Sequence, residues 1–177
     1  TAGSGAFHSE FMNASSRLLG LQMWLNLPKK SKMTAPTYHS ITNDKIKEIP
    51  IDGGKLRLIT GNYKEHKGFQ SPNLPLDYYD IILEPNSKFT IDTDSSRSVM
   101  VFTLQGDAVV CGTSVEEKTA AKLSEGDSVT IETGNKHAEV MLMSSVALNE
   151  PISWYGPIVM NTMDEIKSTI NELNNGT

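Results

Sequence analysis

From about residue 45 to residue 156 the chain is written in short apolar runs separated by turn residues. Residues 55–60, 78–83, 88–91, 99–104, 108–111, 129–132 and 139–143 carry the β-branched, aromatic and alternating character of strands. Asp52-Gly53-Gly54, Glu84-Pro85-Asn86, Gln105-Gly106-Asp107 and Glu125-Gly126-Asp127 punctuate them with residues that favour turns. Many short strands at such regular intervals predict a sandwich or barrel rather than a parallel sheet with crossover helices. Residues 99–102 are apolar at both parities, which predicts a strand held between layers. An all-β, double-layer jelly roll accounts for the whole stretch.

The pattern changes at both ends. Leu21, Met23, Leu25 and Leu27 alternate with Gln22, Trp24 and Asn26, the period of a half-buried strand. Residues 28–44 are rich in Pro, Ser, Thr and Lys and read as a connection, long enough to cross between two domains. Residues 62–76 carry Pro72 and Pro75 with little periodicity and read as a surface loop, with His66 solvated. At the other end Thr162-Met163-Asp164-Glu165 has the form of a capping box. Met163, Ile166, Ile170 and Leu173 then recur at helical spacing, and Asn174-Asn175-Gly176 closes a short helix.

Composition narrows the function classes. Over 177 residues, 38% hydrophobic and 21% charged content is that of a globular protein, and the net charge of -5 argues against generic binding to a phosphate backbone. The exception is Lys29-Lys30-Ser31-Lys32 beside Pro28, read as a solvated linker. No apolar run reaches the eighteen or so residues that a membrane-spanning helix needs. Cys111 is the only cysteine, so an internal disulfide and a cysteine-rich metal site are both excluded. That usage fits a reducing, cytoplasmic setting. Its neighbours Ala108, Val109 and Val110 predict a buried, inert thiol.

The candidate chemistry sits at the start. His8 and Glu10, two positions apart on an extended segment, leave the same face, and imidazole nitrogen and carboxylate oxygen are standard ligands of a divalent transition metal. Gly3 and Gly5 allow a tight turn just before them. Two donors do not make a firm site, and the same pair could simply hydrogen-bond in a solvated loop. The other histidines, His39, His66 and His137, are scattered, and His-x-His does not occur. The run from Gly126 to His137 keeps the glycine and histidine spacing of the second cupin motif, although Glu132 stands where a proline belongs. The matching first motif, near Thr93 to Ser95, holds Thr, Asp and Ser, so His137 reads as a polar residue at a strand start.

Three strings resemble the pirins, bicupin proteins with two stacked jelly rolls. They are Thr-Ala-Gly-Ser-Gly-Ala-Phe-His8-Ser-Glu10, the stretch from Gly20 through Pro28 and Met33 to Tyr38, and Glu150-Pro151-Ile152 with Gly156 to Thr162. The resemblance spans the chain. It implies a cupin-type fold with a short C-terminal helix. Residues 1–27 would then be the last strands of an N-terminal cupin, 28–44 the connection, 45–161 a metal-free C-terminal cupin and 162–177 the helix and tail.

Pirins bind one metal, usually iron, through three histidines and a glutamate. His8 and Glu10 match the later two ligands, and the earlier His-x-His would lie upstream of this chain. The resemblance implies an iron-dependent dioxygenase of the quercetin 2,3-dioxygenase type, with Glu10 also placed to take a flavonol proton. The alternative it implies is a metal- or redox-responsive transcriptional co-regulator with a protein partner, nuclear in a eukaryote. The present chain would hold half a metal site. Its first strands would be left to pair with a separate N-terminal segment or a second copy.

Overall fold

Leu56, Leu58 and Thr60 alternate with Lys55, Arg57 and Ile59, and in the computed structural model the first set is buried while the second is half-buried. The same rule builds the rest of the sheet system. The structure describes residues 1–11 and 13–176; Met12 and Thr177, within the expected segments 1–27 and 162–177, lie outside the described residues.

The strands are β1 (Lys47–Ile51), β2 (Gly54–Thr60), β3 (Asn62–Tyr63), β4 (His66–Lys67), β5 (Leu76–Leu83), β6 (Lys88–Asp92) and β7 (Arg97–Gln105). After them come β8 (Ala108–Val110), β9 (Thr113–Val115), β10 (Ala120–Lys122), β11 (Ser128–Glu132), β12 (Ala138–Val146), β13 (Ser153–Tyr155) and β14 (Ile158–Met160). One helix, α1 (Met163–Asn175), ends the series. A six-stranded antiparallel sheet in the order β1-β2-β5-β12-β7-β10 stands with a four-stranded sheet β6-β11-β8-β9. Both belong to a compact unit running from Ser40 to Ala147. β1 is an edge of the larger sheet and carries Pro50 opposite Lys55.

The core lies between the two inward faces. Leu56, Leu58, Ile81, Leu83, Val101 and Val140 from the larger sheet join Phe89, Ile91, Val110, Val129 and Ile131 from the smaller one. At about 25 cal/mol per Å² of apolar area removed from water, each fully buried aliphatic side chain contributes about 1.5–3 kcal/mol. The predicted jelly roll is therefore the fold. All seven strands predicted between residues 45 and 156 form. β1, β9, β10 and the short β3–β4 hairpin were not legible as strands. The last of these lies inside the stretch read as a plain loop, and His66 there pairs with Glu65 at 3.4 Å.

Two further expectations are corrected within this unit. Met100 and Phe102 are only half-buried, so β7 has one core face, and the strand buried at both parities is β12, from Val140 through Ser145. Cys111 is exposed rather than buried, because β8 stops at Val110. Cys111 (φ 47°) and Gly112 (φ 79°) are the two central residues of a tight hairpin turn joining β8 to β9. Two positive φ values in succession mark the mirror-image turn whose twist matches that of paired strands.

The second unit comprises Thr1–His39 and the chain from Leu148 on. Between Thr1 and Ile46 the described residues form two 3₁₀ turns, Lys29–Ser31 and Asn43–Lys45, and no strand. The alternation over residues 20–27 thus gives no ladder, since a strand needs a hydrogen-bonding neighbour as well as a period. Lys32 is not a solvated linker residue. It is 6% exposed, and its ammonium donates to Asn26 Oδ1 at 2.6 Å and to the Val159 carbonyl at 3.3 Å. Residues 148–161 fall within this unit.

The capping box at α1 is complete. Thr162 Oγ1 accepts from Glu165 N at 3.2 Å, and Glu165 Oε2 accepts from Thr162 N at 2.8 Å. Those bonds to the carboxylate hold Glu165 below the usual glutamate range. Gly176 closes the helix in the left-handed region at φ 71°. Ile166 is the fully buried member of the apolar face; Met163 and Leu173 are about half exposed.

Candidate functional site

The turn that the N-terminal glycines predict is present: Gly5 N donates to the Ala2 carbonyl at 2.9 Å, with Gly3 at φ 54°. A Cβ on Gly3 would lie 2.0 Å from the Thr34 carbonyl oxygen, so only glycine fits there. Ser4 N donates to that same oxygen at 2.9 Å, tying the turn down. His8 and Glu10 follow outside any strand or helix, with Nε2 and Oε1 3.6 Å apart and side chains 69% and 60% exposed. The structure therefore brings the two predicted donors together.

It brings no third. Among the described residues no group of three or more His, Cys, Asp or Glu side chains could hold a metal ion. A transition-metal site takes four or more donors in a fixed geometry, and two exposed side chains do not fit that need alone. His137 is exposed, one residue before β12. In the place of the first cupin motif, Asp94 Oδ1 accepts from Ser96 N at 2.8 Å and Ser96 Oγ at 2.7 Å, closing a turn. These bonds hold the Asp94 carboxyl below its usual range.

A cavity of about 620 Å³ opens at this end of the barrel. Inward-facing positions become polar there on three neighbouring strands: Asp77 on β5, Arg97 on β7 and Ser144 on β12. The register puts Asp77 opposite Ser144, and Arg97 opposite Val146. Arg97 Nη2 lies 2.8 Å from Asp77 Oδ2, and Arg97 also donates from Nε to Ser144 Oγ and from Nη2 to the Ser144 carbonyl, each at 2.7 Å. Tyr79 O–H donates to the Asn62 carbonyl at 2.5 Å. Burial, with Asp77 beside it, pushes that phenol far above its ordinary range. Gly61, at φ 87°, makes room for the carboxylate, since a Cβ there would lie 2.0 Å from Asp77 Oδ1.

A second polar cluster lies on the opposite face of the larger sheet. Arg57 Nη1 reaches Asp80 Oδ2 at 2.5 Å, its Nε lies 3.3 Å from Glu48 Oε1, and its Nη2 donates to Asn43 Oδ1 at 2.7 Å. The Asp80 side chain is 4% exposed, and its Oδ1 has no hydrogen-bond partner among the described residues. Burial raises the Asp80 carboxyl above its usual range, against the pull of Arg57, and nearby Glu139 adds to the rise. Glu139 in turn accepts from Gln105 Nε2. The cluster reads as a structural one.

Similarity to known proteins fits this geometry. The family model of the pirin C-terminal cupin domain matches residues 78–177. A Thermoplasma acidophilum protein bearing a provisional quercetin 2,3-dioxygenase name is 33% identical over 198 residues, covering 99% of this chain and 76% of its own length. Human pirin is 31% identical over 180 residues, and the match covers 99% of this chain but 62% of pirin. The crystal structure of quercetin 2,3-dioxygenase from Acinetobacter baumannii superposes with a TM-score of 0.81 at 37% identity, over 86% of this chain and 54% of that one. The chain thus spans between about half and three quarters of the length of these three relatives.

Proposed function

This chain belongs to the pirin family, and from that membership we propose that its parent protein is an iron-dependent dioxygenase of the quercetin 2,3-dioxygenase type. The observation that carries the reading is the His8–Glu10 pair, held 3.6 Å apart behind the Gly3 turn in a chain 37% identical to the Acinetobacter baumannii enzyme. His8 and Glu10 would supply two of the metal's donors. The others would come from an N-terminal cupin outside residues 1–177, to which residues 1–27 would belong. Residues 28–44 would connect it to a C-terminal cupin over 45–161 that holds no metal of its own, with 162–177 as helix and tail.

The bound metal would supply the dioxygen chemistry. What this chain supplies is a carboxylate that can take the proton of a flavonol hydroxyl, a role of general-base type that typically contributes about 10²–10⁴ in rate. No helix among the described residues is long and apolar enough to cross a membrane; the cytoplasm is the setting proposed.

The test is quercetin-dependent oxygen uptake by the iron-loaded full-length protein, compared with its His8→Ala and Glu10→Gln forms. The expected result is robust uptake, loss of iron from His8→Ala, and a fall in kcat of about 100-fold or more for Glu10→Gln. Full activity in both variants would remove these residues from the site. An iron-loaded protein that leaves quercetin untouched would favour the metal-responsive binding or co-regulatory role instead.

A further inference from the structure

The strand β6 ends the smaller sheet, and among the described residues no strand pairs with its outer border. We propose that β6 is a self-complementary edge through which two copies of this chain join, antiparallel, into one continuous sheet across a two-fold axis.

The hydrogen bonds around β6 fix which of its groups face outward. Ser87 O accepts from Thr133 N at 2.9 Å and Thr93 N donates to Asp127 O at 2.8 Å, both toward β11 and its flanks. Bonding alternates along an antiparallel strand. Phe89 and Ile91 therefore complete that ladder, while Lys88, Thr90 and Asp92 turn their N–H and C=O groups the other way. Thr130, opposite Thr90, agrees: its carbonyl accepts from Cys111 N at 2.8 Å, on the far side of β11. Among the described residues no backbone bond reaches Lys88, Thr90 or Asp92 on the outer side. All three residues are exposed, and the cavity's open space lies against Thr90 and Asp92. The opposite border of the same sheet, β9, offers only three residues, whereas β6 offers five with no proline.

Charge selects the occupant. Edge strands are usually guarded by charges that repel a newcomer. Here the charges fit a second copy of the strand. An antiparallel pair centred on Thr90 sets Lys88 opposite Asp92 of the second copy, twice over by symmetry, and Thr90 opposite its own equivalent. Each opposed pair exchanges two backbone bonds. Registers centred on Lys88 or on Asp92 set like charges face to face and lose bonds, so the Thr90 register is the favoured one. Lys88 Nζ lies 3.2 Å from Glu132 Oε1 with its side chain 64% exposed, which leaves the ammonium free to reach a second carboxylate. Five residues make a short seam, so the dimer is a weak one, at the small end of interface sizes.

The experiment is analytical ultracentrifugation of the 177-residue protein from about 10 µM to about 1 mM. The expected result is a dimer with Kd below about 1 mM. Lys88→Asp and Asp92→Lys, both at exposed positions, should each weaken it about tenfold or more while leaving the melting temperature in place. An equimolar mixture of the two variants should recover association, because each strand then meets the opposite charge. The double variant should recover it too. Thr90→Pro removes the central outward N–H without touching the bonds to β11, and should abolish it. A monomer at every concentration, association that the variants leave unchanged, or single variants that fail to recover on mixing would each overturn the assignment. None of these readings involves iron, His8 or Glu10, so failure here leaves the dioxygenase reading intact.

Discussion

Replacing Arg57 by methionine isolates the energetics of the buried carboxylate at Asp80. Methionine keeps most of the apolar stem, so the lost packing is small. What is removed is the guanidinium 2.5 Å from a carboxylate whose side chain is 4% exposed. Breaking a buried pair from one side costs about 3–5 kcal/mol, because the remaining charge has neither water nor partner. Arg57 is itself 22% exposed, which places the expected loss near the lower bound, about 3 kcal/mol at neutral pH.

The pH dependence carries the sharper test. Asp80 has its folded carboxyl raised by burial, so its contribution to stability is present below the ordinary carboxyl range and is lost as pH rises through the raised folded value. Removing Arg57 withdraws the main group holding that carboxyl down, so the folded value climbs further. The deficit of Arg57→Met should therefore be small at mildly acidic pH and grow toward neutrality. Adding Asp80→Asn to the variant should recover much of the loss. Urea unfolding followed by far-ultraviolet circular dichroism reads the barrel directly, since Trp24 and Trp154 both lie in the other unit. A deficit under about 1 kcal/mol, equal at acidic and neutral pH, is the signature of a surface pair and would refute the reasoning.

Three other outcomes follow from the same structure. Cys111 in its exposed hairpin turn should react with a thiol reagent in the folded protein nearly as fast as a free peptide does, and Cys111→Asn should leave stability unchanged or raise it by a few tenths of a kcal/mol; a protected thiol would contradict the turn. Lys32→Met should cost about 1–3 kcal/mol, read by tryptophan fluorescence during unfolding, because it strips the donor from Asn26 Oδ1 and the Val159 carbonyl. Thr162→Ala should cost about 1 kcal/mol and fray the first turn of α1, visible as faster amide exchange at Glu165.

The barrel strands were legible because each of them combines a β-forming composition with a bounding turn signal, and those are local properties. β10 shows the opposite case: Ala120, Ala121 and Lys122 have no strand character, and they pair only because β7 offers a free edge. Residues 20–27 have the period without the neighbour. Cys111 misled because an apolar run gives no warning of where a ladder stops, and the glycine after it was the better signal. The donors His8 and Glu10 could be found as a pair two apart in sequence. The cavity could not, since Asp77, Thr93, Arg97 and Ser144 come from separate stretches. A trace of it was there in the inward parities of β5, β7 and β12, where Asp77, Arg97 and Ser144 follow on from the apolar positions Tyr79, Val99 and Leu142.

Pro50 has a consequence for how concentrated solutions of this protein behave. An arriving β-strand needs a regular row of amide donors and acceptors along the border it joins, and the outermost strand here interrupts that row with a residue that has no N–H. The far border is only three residues long at Ala120–Lys122, too short to template an intruder. Both flanks of the larger sheet are thus poor seeds for amyloid-like stacking, and Pro50→Val would open the longer one to it.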